Sequence, residues 1–265
     1  MTRLGDVKAL VIDMDGVLYR VNAPIPGAAE FLQALREEAI PFLLLTNNST
    51  LTREMYVSKL HRMGIEVRID QILTSALATA DYLRDHVPAG SRVYVLGEDG
   101  IVQAVRETDC TLTDEDPEYV VVGFDHQINY EKLKIASLAI RNGAKYIATN
   151  PDVTLPSEEG LLPGCGAILA AVTAATGVAP LVIGKPQREM FDQAVEHLGS
   201  DRSVTAMVGD RVETDIVGAQ GAGLLTILLL SGATTKDDIA GVDAPADFVF
   251  DGIGALGEAW RLSRE

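Results

Sequence analysis

The chain has 265 residues, enough for two domains and a sizeable core, with 47% apolar and 23% charged side chains. Its net charge of −16, from 38 acidic against 22 basic residues, argues against nucleic-acid polymers and anionic membranes as partners. An anionic substrate would therefore need a local positive centre, either a metal or a placed lysine.

The first apolar stretch, residues 9–12, is too short for a signal sequence and ends in Asp13. "LLTILLL" at 224–230 also falls far short of the ~20 residues that span a bilayer. A cytoplasmic protein is expected. Cys110 and Cys165 cannot build a disulfide framework, and no Cys/His spacing suits zinc. His61, His86, His126 and His197 are scattered and read as surface residues.

In chain order, "KALVID" (8–13) predicts a buried strand and "GAAEFLQALREEA" (27–39) an amphipathic helix. "PFLLLT" (41–46) predicts a second strand, followed by a helix from Thr52 to Met63 with Gly64 as its stop. The middle of the chain has its own strand rhythm in "RVYVLG" (92–97), "YVVVGF" (119–124) and "KYIATN" (145–150), with an alanine-rich helix at 167–175. Further strands are expected at "LVIGK" (181–185), "VTAMVGD" (204–210), "LTILLL" (225–230) and "DFVF" (247–250). Continuous apolar strands separated by helices imply a doubly wound parallel α/β sheet. The expected organisation is a core from residues 1–78 and 181–265 and an inserted α/β cap over 79–180.

In such a sheet, ligands sit at the carboxyl ends of the strands. Four expected strand ends carry polar clusters: Asp13 and Asp15; Thr46, Asn47 and Asn48; Lys185 with Pro186; and Gly209, Asp210 and Asp215. Taken singly none is convincing, since a lone lysine is usually solvated and a strand-end Thr-Asn can cap a helix. Asp13 and Asp15, two apart on a strand, can face the same side. Two carboxylates so close need a cation or a shared proton. A hard ion such as Mg²⁺ would accept oxygens from Asp13, Asp210 and a backbone carbonyl. Lys185 would be a second positive centre, and Thr46 with the N–H groups of Asn47 and Asn48 could cradle an anion at a helix start. Together these describe a phosphoryl-transfer site with an aspartate nucleophile.

"DMDGV", "TNN", "GKP" and "GDRVETD", in this order, resemble the four motifs of the haloacid dehalogenase superfamily. The insertion between the second and third motifs resembles the 4-nitrophenylphosphatase or NagD-type subfamily. Cap phrases such as "VVGFDHQINYEKL" (121–133) and "TNPDVTLP" (149–156) fit it as well. The resemblance implies that Asp13 is the nucleophile and Asp15 the general acid and base. It implies Mg²⁺ held by Asp13, Asp210 and the Asp15 carbonyl, with Asp215 as an outer partner. Thr46 and Asn47 would bind phosphoryl oxygens and Lys185 would neutralise charge. Glu213 stands where aspartate is equally expected. A homodimer through the caps is suggested by the subfamily alone.

Several features have plainer readings. "GAQGAGL" (218–224) follows a helix and precedes a strand, the wrong context for a dinucleotide fingerprint. "GKP" lacks the Ser or Thr and the glycine spacing of a P-loop. Cys165 reads as a small loop residue rather than a nucleophile. Gly123, Asp125, Asn150 and Asp152 could face the crevice or support loops. Gly16 turns the chain into an expected flap over 17–27. The expected substrates are small phosphomonoesters: sugar or polyol phosphates, phosphoglycolate, nucleoside monophosphates and pyridoxal phosphate. A receiver-type signalling domain would use a similar sheet, but is shorter and lacks a second aspartate with a proton role. A metabolite-binding member without catalysis would not need every motif position filled.

Overall fold

The computed structural model describes residues 3–157, 159–240 and 246–264. The chain runs through strand β1 (Ala9–Asp13), a ribbon of β2 (Tyr19–Arg20) and β3 (Ala23–Pro24), helix α1 (Ala28–Glu37), β4 (Phe42–Thr46), α2 (Arg53–Arg62) and β5 (Ile72–Thr74). There follow α3 (Ser75–His86), β6 (Arg92–Leu96), α4 (Asp99–Arg106), β7 (Thr111–Leu112), β8 (Tyr119–Val122), α5 (Tyr130–Arg141) and β9 (Lys145–Ala148). A hairpin of β10 (Thr154–Ser157) and β11 (Gly160–Pro163) leads to α6 (Cys165–Thr176) and β12 (Leu181–Val182). The last elements are α7 (Arg188–Leu198), β13 (Thr205–Gly209), α8 (Val217–Gly221), β14 (Leu225–Leu229), β15 (Phe248–Phe250) and α9 (Ile253–Leu262). No helix among the described residues is long and apolar enough to cross a membrane.

The chain divides into two compact units: Met1–Thr46, Tyr56–Leu73 and Pro186–Glu265 form one, and Asn47–Met55 and Thr74–Lys185 the other. The first is built on a six-stranded sheet in the order β15-β14-β13-β1-β4-β5. β1 runs parallel to both neighbours, with Val11 opposite Leu43 and Met207. All five residues of β1, β4 and β13 are buried, as continuous apolar runs in a two-sided parallel sheet require. The helices bury one stripe each: Ala28, Phe31, Leu32 and Leu35 on α1, and Met190, Phe191, Ala194 and Val195 on α7. α1 and α9 meet through an edge-to-face Phe31–Trp260 pair with centroids 5.9 Å apart, and the indole N–H donates to Glu38 at 3.0 Å.

The second unit holds a five-stranded sheet, order β12-β9-β8-β6-β7. Val120 and Val122 of β8 pack with Ala136 and Ile140 of α5 and Ile168, Leu169 and Val172 of α6. Asn129 caps α5 by accepting the Lys132 N–H at 3.0 Å, and Thr74 caps α3 in the same way.

One expected strand belongs elsewhere. The run 181–185 was expected to extend the core sheet, but only Leu181 and Val182 are strand, and they pair in parallel with Ile147 and Ala148 of β9. Ile183 and Gly184 continue that bonding to Ala148 and Thr149. Hydrophobicity marks this run as a buried strand without saying which sheet it joins. The 17–27 segment forms the β2–β3 ribbon, with Val17, Leu18 and Tyr19 fully buried. The β10–β11 hairpin was not anticipated, since prolines at 156 and 163 argue against strands.

Candidate active site

In the first sheet the connections from β1 lead outward to β4 and β5 on one side, while β13, β14 and β15 fill the other. The carboxyl ends of β1 and β13 therefore flank the switch point, where open α/β sheets bind ligands. Asp13 ends β1 and Asp210 follows β13; both are buried. Asp215 lies on a wide helical turn, Val212–Ile216, that brings it back over the strand end. Carboxylate oxygens of Asp13, Asp210 and Asp215 lie within 4.8 Å of one another. Three buried carboxylates this close cannot all stay charged without a cation.

Backbone geometry builds this cluster. Asp215 accepts the N–H groups of Asp210 at 3.2 Å and Arg211 at 3.1 Å through its Oδ2. Asp210 accepts the Ala233 N–H at 2.6 Å. Gly16 and Gly232 press against it: a Cβ would fall 2.2 Å from Asp210 Oδ2 at Gly16 and 1.8 Å at Gly232. Gly16 also has φ +81°, a left-handed turn that side chains resist. The 231–233 segment is tied down in turn, for the Ser231 hydroxyl donates to the Gly16 carbonyl at 2.9 Å. Arg20 on the ribbon grips the Ser231 carbonyl through Nε at 2.8 Å and through Nη2.

Asp15 sits on the turn after β1, its neighbour Met14 fully buried. The turn closes with Leu18 N–H donating to Met14 O, and Gly16 N–H to Tyr19 O, both at 2.8 Å. The Tyr19 hydroxyl then donates to Asp15 Oδ2 at 3.2 Å. Lys59 Nζ stands 4.0 Å from the centroid of the Tyr19 ring. Burial, then the charge of Asp15, holds the Tyr19 hydroxyl well above its ordinary pKa. Burial lowers that of Lys59, with Asp15 pulling the other way. Tyr56 is wholly buried one helical turn from Lys59. Its hydroxyl lies beside Thr46, but not in the geometry of a good hydrogen bond. Thr46 itself ends β4, one residue beyond the Leu45 that pairs with Asp13.

Asn47, Asn48 and Lys185 belong to the second unit. The Asn47 side chain brackets Lys185: Oδ1 accepts the Lys185 N–H at 2.8 Å and Nδ2 donates to the Lys185 carbonyl at 3.0 Å. Nδ2 also reaches Asp152 Oδ2 at 3.1 Å. The Asn47 carbonyl accepts from Ser75 Oγ at 2.6 Å and Asn150 Nδ2 at 2.8 Å. Asn48 Oδ1 accepts the Thr50 N–H at 2.9 Å, which makes a local turn. The helix expected from Thr52 forms, so the N–H groups of Asn47 and Asn48 lie ahead of it rather than at its start. α2 begins only at Arg53, because Asn48 closes its own turn and Thr52 supplies the cap acceptor for Met55 N–H at 3.3 Å.

Residues 10–111 match the family of haloacid dehalogenase-like hydrolases, and residues 182–256 match the related HAD-hydrolase-like family. An acid sugar phosphatase of Staphylococcus aureus is 45% identical, over 92% of this chain and 94% of its own. This chain is a haloacid dehalogenase-like hydrolase. It falls in the NagD-type phosphatase branch. The solved 4-nitrophenylphosphatase of Thermotoga maritima superposes with a TM-score of 0.92 at 37% identity, over 97% of this chain and 99% of that one. NagD from E. coli K-12 gives 0.87 at 34% identity, over 94% and 97%.

Within this hydrolase, Asp13, Asp15, Thr46, Asp210 and Asp215 all lie in the first unit, and the acidic cluster gathers three of them. Asp215, expected as an outer partner, offers one carboxylate oxygen within 4.8 Å of those of Asp13 and Asp210 while its Oδ2 accepts two backbone N–H groups. The Asp15 carboxylate is not in that group. Of the second-unit candidates, Asp125 pairs with Lys132 at 2.6 Å and accepts the Gln127 N–H, and Asn150 braces Asn47, so both support loops. Cys165 is buried, and burial pushes its thiol up to about 12, which suits an inert residue. Tyr19, Tyr56, Lys59, Ser231 and Gly232 were not singled out in the sequence. The i,i+3 spacing of Tyr56 and Lys59, which puts them on one helix face, was the one available signal.

Proposed function

We propose that this hydrolase cleaves small phosphomonoesters, sugar phosphates first among them, with Asp13 as nucleophile and Mg²⁺ as the resident cation. The observation that carries the reading is the convergence of Asp13, Asp210 and Asp215 oxygens within 4.8 Å at the switch point of the sheet. The donor set fits a hard divalent ion, being all carboxylate oxygen with no nitrogen or sulfur. Bound there, such an ion supplies charge neutralisation to the phosphoryl group and the attacking carboxylate.

The protein's own residues divide the remaining work. Asp13 attacks phosphorus, and the ester oxygen leaves with a proton from Asp15. The Asp13–phosphate is then cleared by a water that Asp15 deprotonates. Thr46 and the N–H of Asn47 are assigned to phosphoryl oxygens, in keeping with an Asn47 side chain occupied by Lys185 and Asp152. Lys185 is assigned to charge neutralisation by its place in "GKP". The inserted segment over 79–180 is assigned the choice of leaving group. Sugar phosphates lead the substrate panel because the Staphylococcus aureus relative bears that name. A cytoplasmic protein that pairs through its caps and binds no nucleic acid completes the reading, the last point supported by the charge of −16.

The decisive experiment is phosphate release from 4-nitrophenyl phosphate and a sugar phosphate panel after chelation and metal return. Mg²⁺ should restore turnover and Ca²⁺ should do so poorly, because its longer bonds and higher coordination would displace the nucleophile. Full activity in excess chelator would sink the metal assignment. Light scattering of the purified protein reads the dimer.

A further inference from the structure

A proton-handling carboxylate must be held at one angle to the leaving oxygen, and Asp15 stands on a turn rather than on the rigid strand. The Tyr19 hydroxyl donates to Asp15 Oδ2 at 3.2 Å, and the Tyr19 ring is itself fully buried. Lys59 lays its ammonium 4.0 Å from the centroid of that ring, and Tyr56, one turn back on α2, buries its hydroxyl without a good hydrogen bond.

A lysine chosen for packing would extend its head to water. Lys59 instead keeps it half-buried against an aromatic face, within the field of Asp15. Desolvating an ammonium is unfavourable unless something opposes it. Here a cation–π contact and the nearby carboxylate do so. The Tyr19 phenol is the donor of that pair and the Asp15 carboxylate oxygen its acceptor. The cation over the ring draws electron density from the phenol and strengthens the donated bond.

We propose that Tyr19 and Lys59 are positioning residues for Asp15, the hydroxyl fixing the rotamer of its carboxylate and the ammonium fixing the ring that carries the hydroxyl. This rests on the phosphatase reading, in which Asp15 protonates the leaving oxygen. Neither residue need touch the substrate. Their effect should scale with how much the leaving group needs a proton.

The test compares phenyl phosphate with 4-nitrophenyl phosphate, two esters of similar shape whose leaving groups differ in basicity, on the Mg²⁺-loaded enzyme. Tyr19→Phe and Lys59→Met should each slow leaving-group release in a single turnover about tenfold more with phenyl phosphate than with 4-nitrophenyl phosphate, within the ~10²–10⁴-fold that general acid catalysis is worth. KM should change little, and Lys59→Arg should recover most of the loss. Thermal unfolding checks that the fold is kept; Tyr19→Phe, which retains the ring, decides the matter should Lys59→Met unfold. Equal losses on both esters, or a change confined to KM, would overturn the assignment alone. A wild type that cleaved neither ester would overturn the phosphatase reading, and this assignment with it.

Discussion

Asp13 and Asp15 differ in what surrounds them more than in their own chemistry. Asp13 clusters with Asp210 and Asp215, one oxygen of each within 4.8 Å of the others, while Asp15 is held from the side by Tyr19. Asp13→Asn should abolish the phosphoenzyme on every substrate. With Asp13 as the proposed nucleophile and Asp15 as the proposed base, Asp15→Asn should release nitrophenol in a burst near one equivalent and then stall. Rapid-quench kinetics reads both; a burst from Asp13→Asn would mean that the roles are exchanged. Gly16 is the steric counterpart of these carboxylates. Gly16→Ala would strain a left-handed turn, at about 1–3 kcal/mol, and push a methyl into Asp210. Metal affinity by calorimetry should fall with it, and an unchanged affinity would show that Asp210 can move aside freely.

At the scale of elements, the loop after β4 carries a hydrogen-bond network besides its proposed phosphate contact. Asn47 clamps both backbone groups of Lys185, and Ser75 and Asn150 hold Asn47 in turn. Asn47→Ala removes three hydrogen bonds, two buried ones to Lys185 and a part-buried one to Asp152, and should cost about 2–4 kcal/mol of stability. Activity should fall further than Asp152→Ala alone reduces it, because only the first change releases the lysine backbone. Urea unfolding and kcat on 4-nitrophenyl phosphate measure the two effects; equal activity losses would place the important contact at Asp152. This network was not legible in the sequence. Apolar periodicity exposes the strands and amphipathic helices, because burial dictates residue type there. The partners of an asparagine depend on which sheet the segment 181–184 joins, and hydrophobicity does not encode that.

Across the whole molecule, the doubly wound core and the positions of Asp13, Thr46 and Asp210 at strand ends could be read from residue order. The glycine cradle of Asp210 and the Tyr19–Lys59 pair could not, because each needs segments far apart in the chain. The same burial that shapes these units sets their response to base. Cys165 and Tyr94 are each pushed to about 12, and Tyr19, Tyr56 and Tyr146 are raised above the usual tyrosine range, in every case chiefly by burial. With folded pKa values above unfolded ones, the unfolded chain loses these protons first. Their contribution to stability is therefore complete below about pH 8–9 and is lost as pH rises through the folded values. Lys59, lowered by burial, acts in the opposite sense but is a single group. Stability should hold to near pH 9 and then decline, first through Cys165 and above about pH 10 through the tyrosines. Cys165→Ala should remove the earliest part of that decline. Denaturant unfolding from pH 7 to 11 tests this, and a Cys165→Ala curve parallel to wild type between pH 9 and 10 would show that the thiol does not govern the alkaline limb.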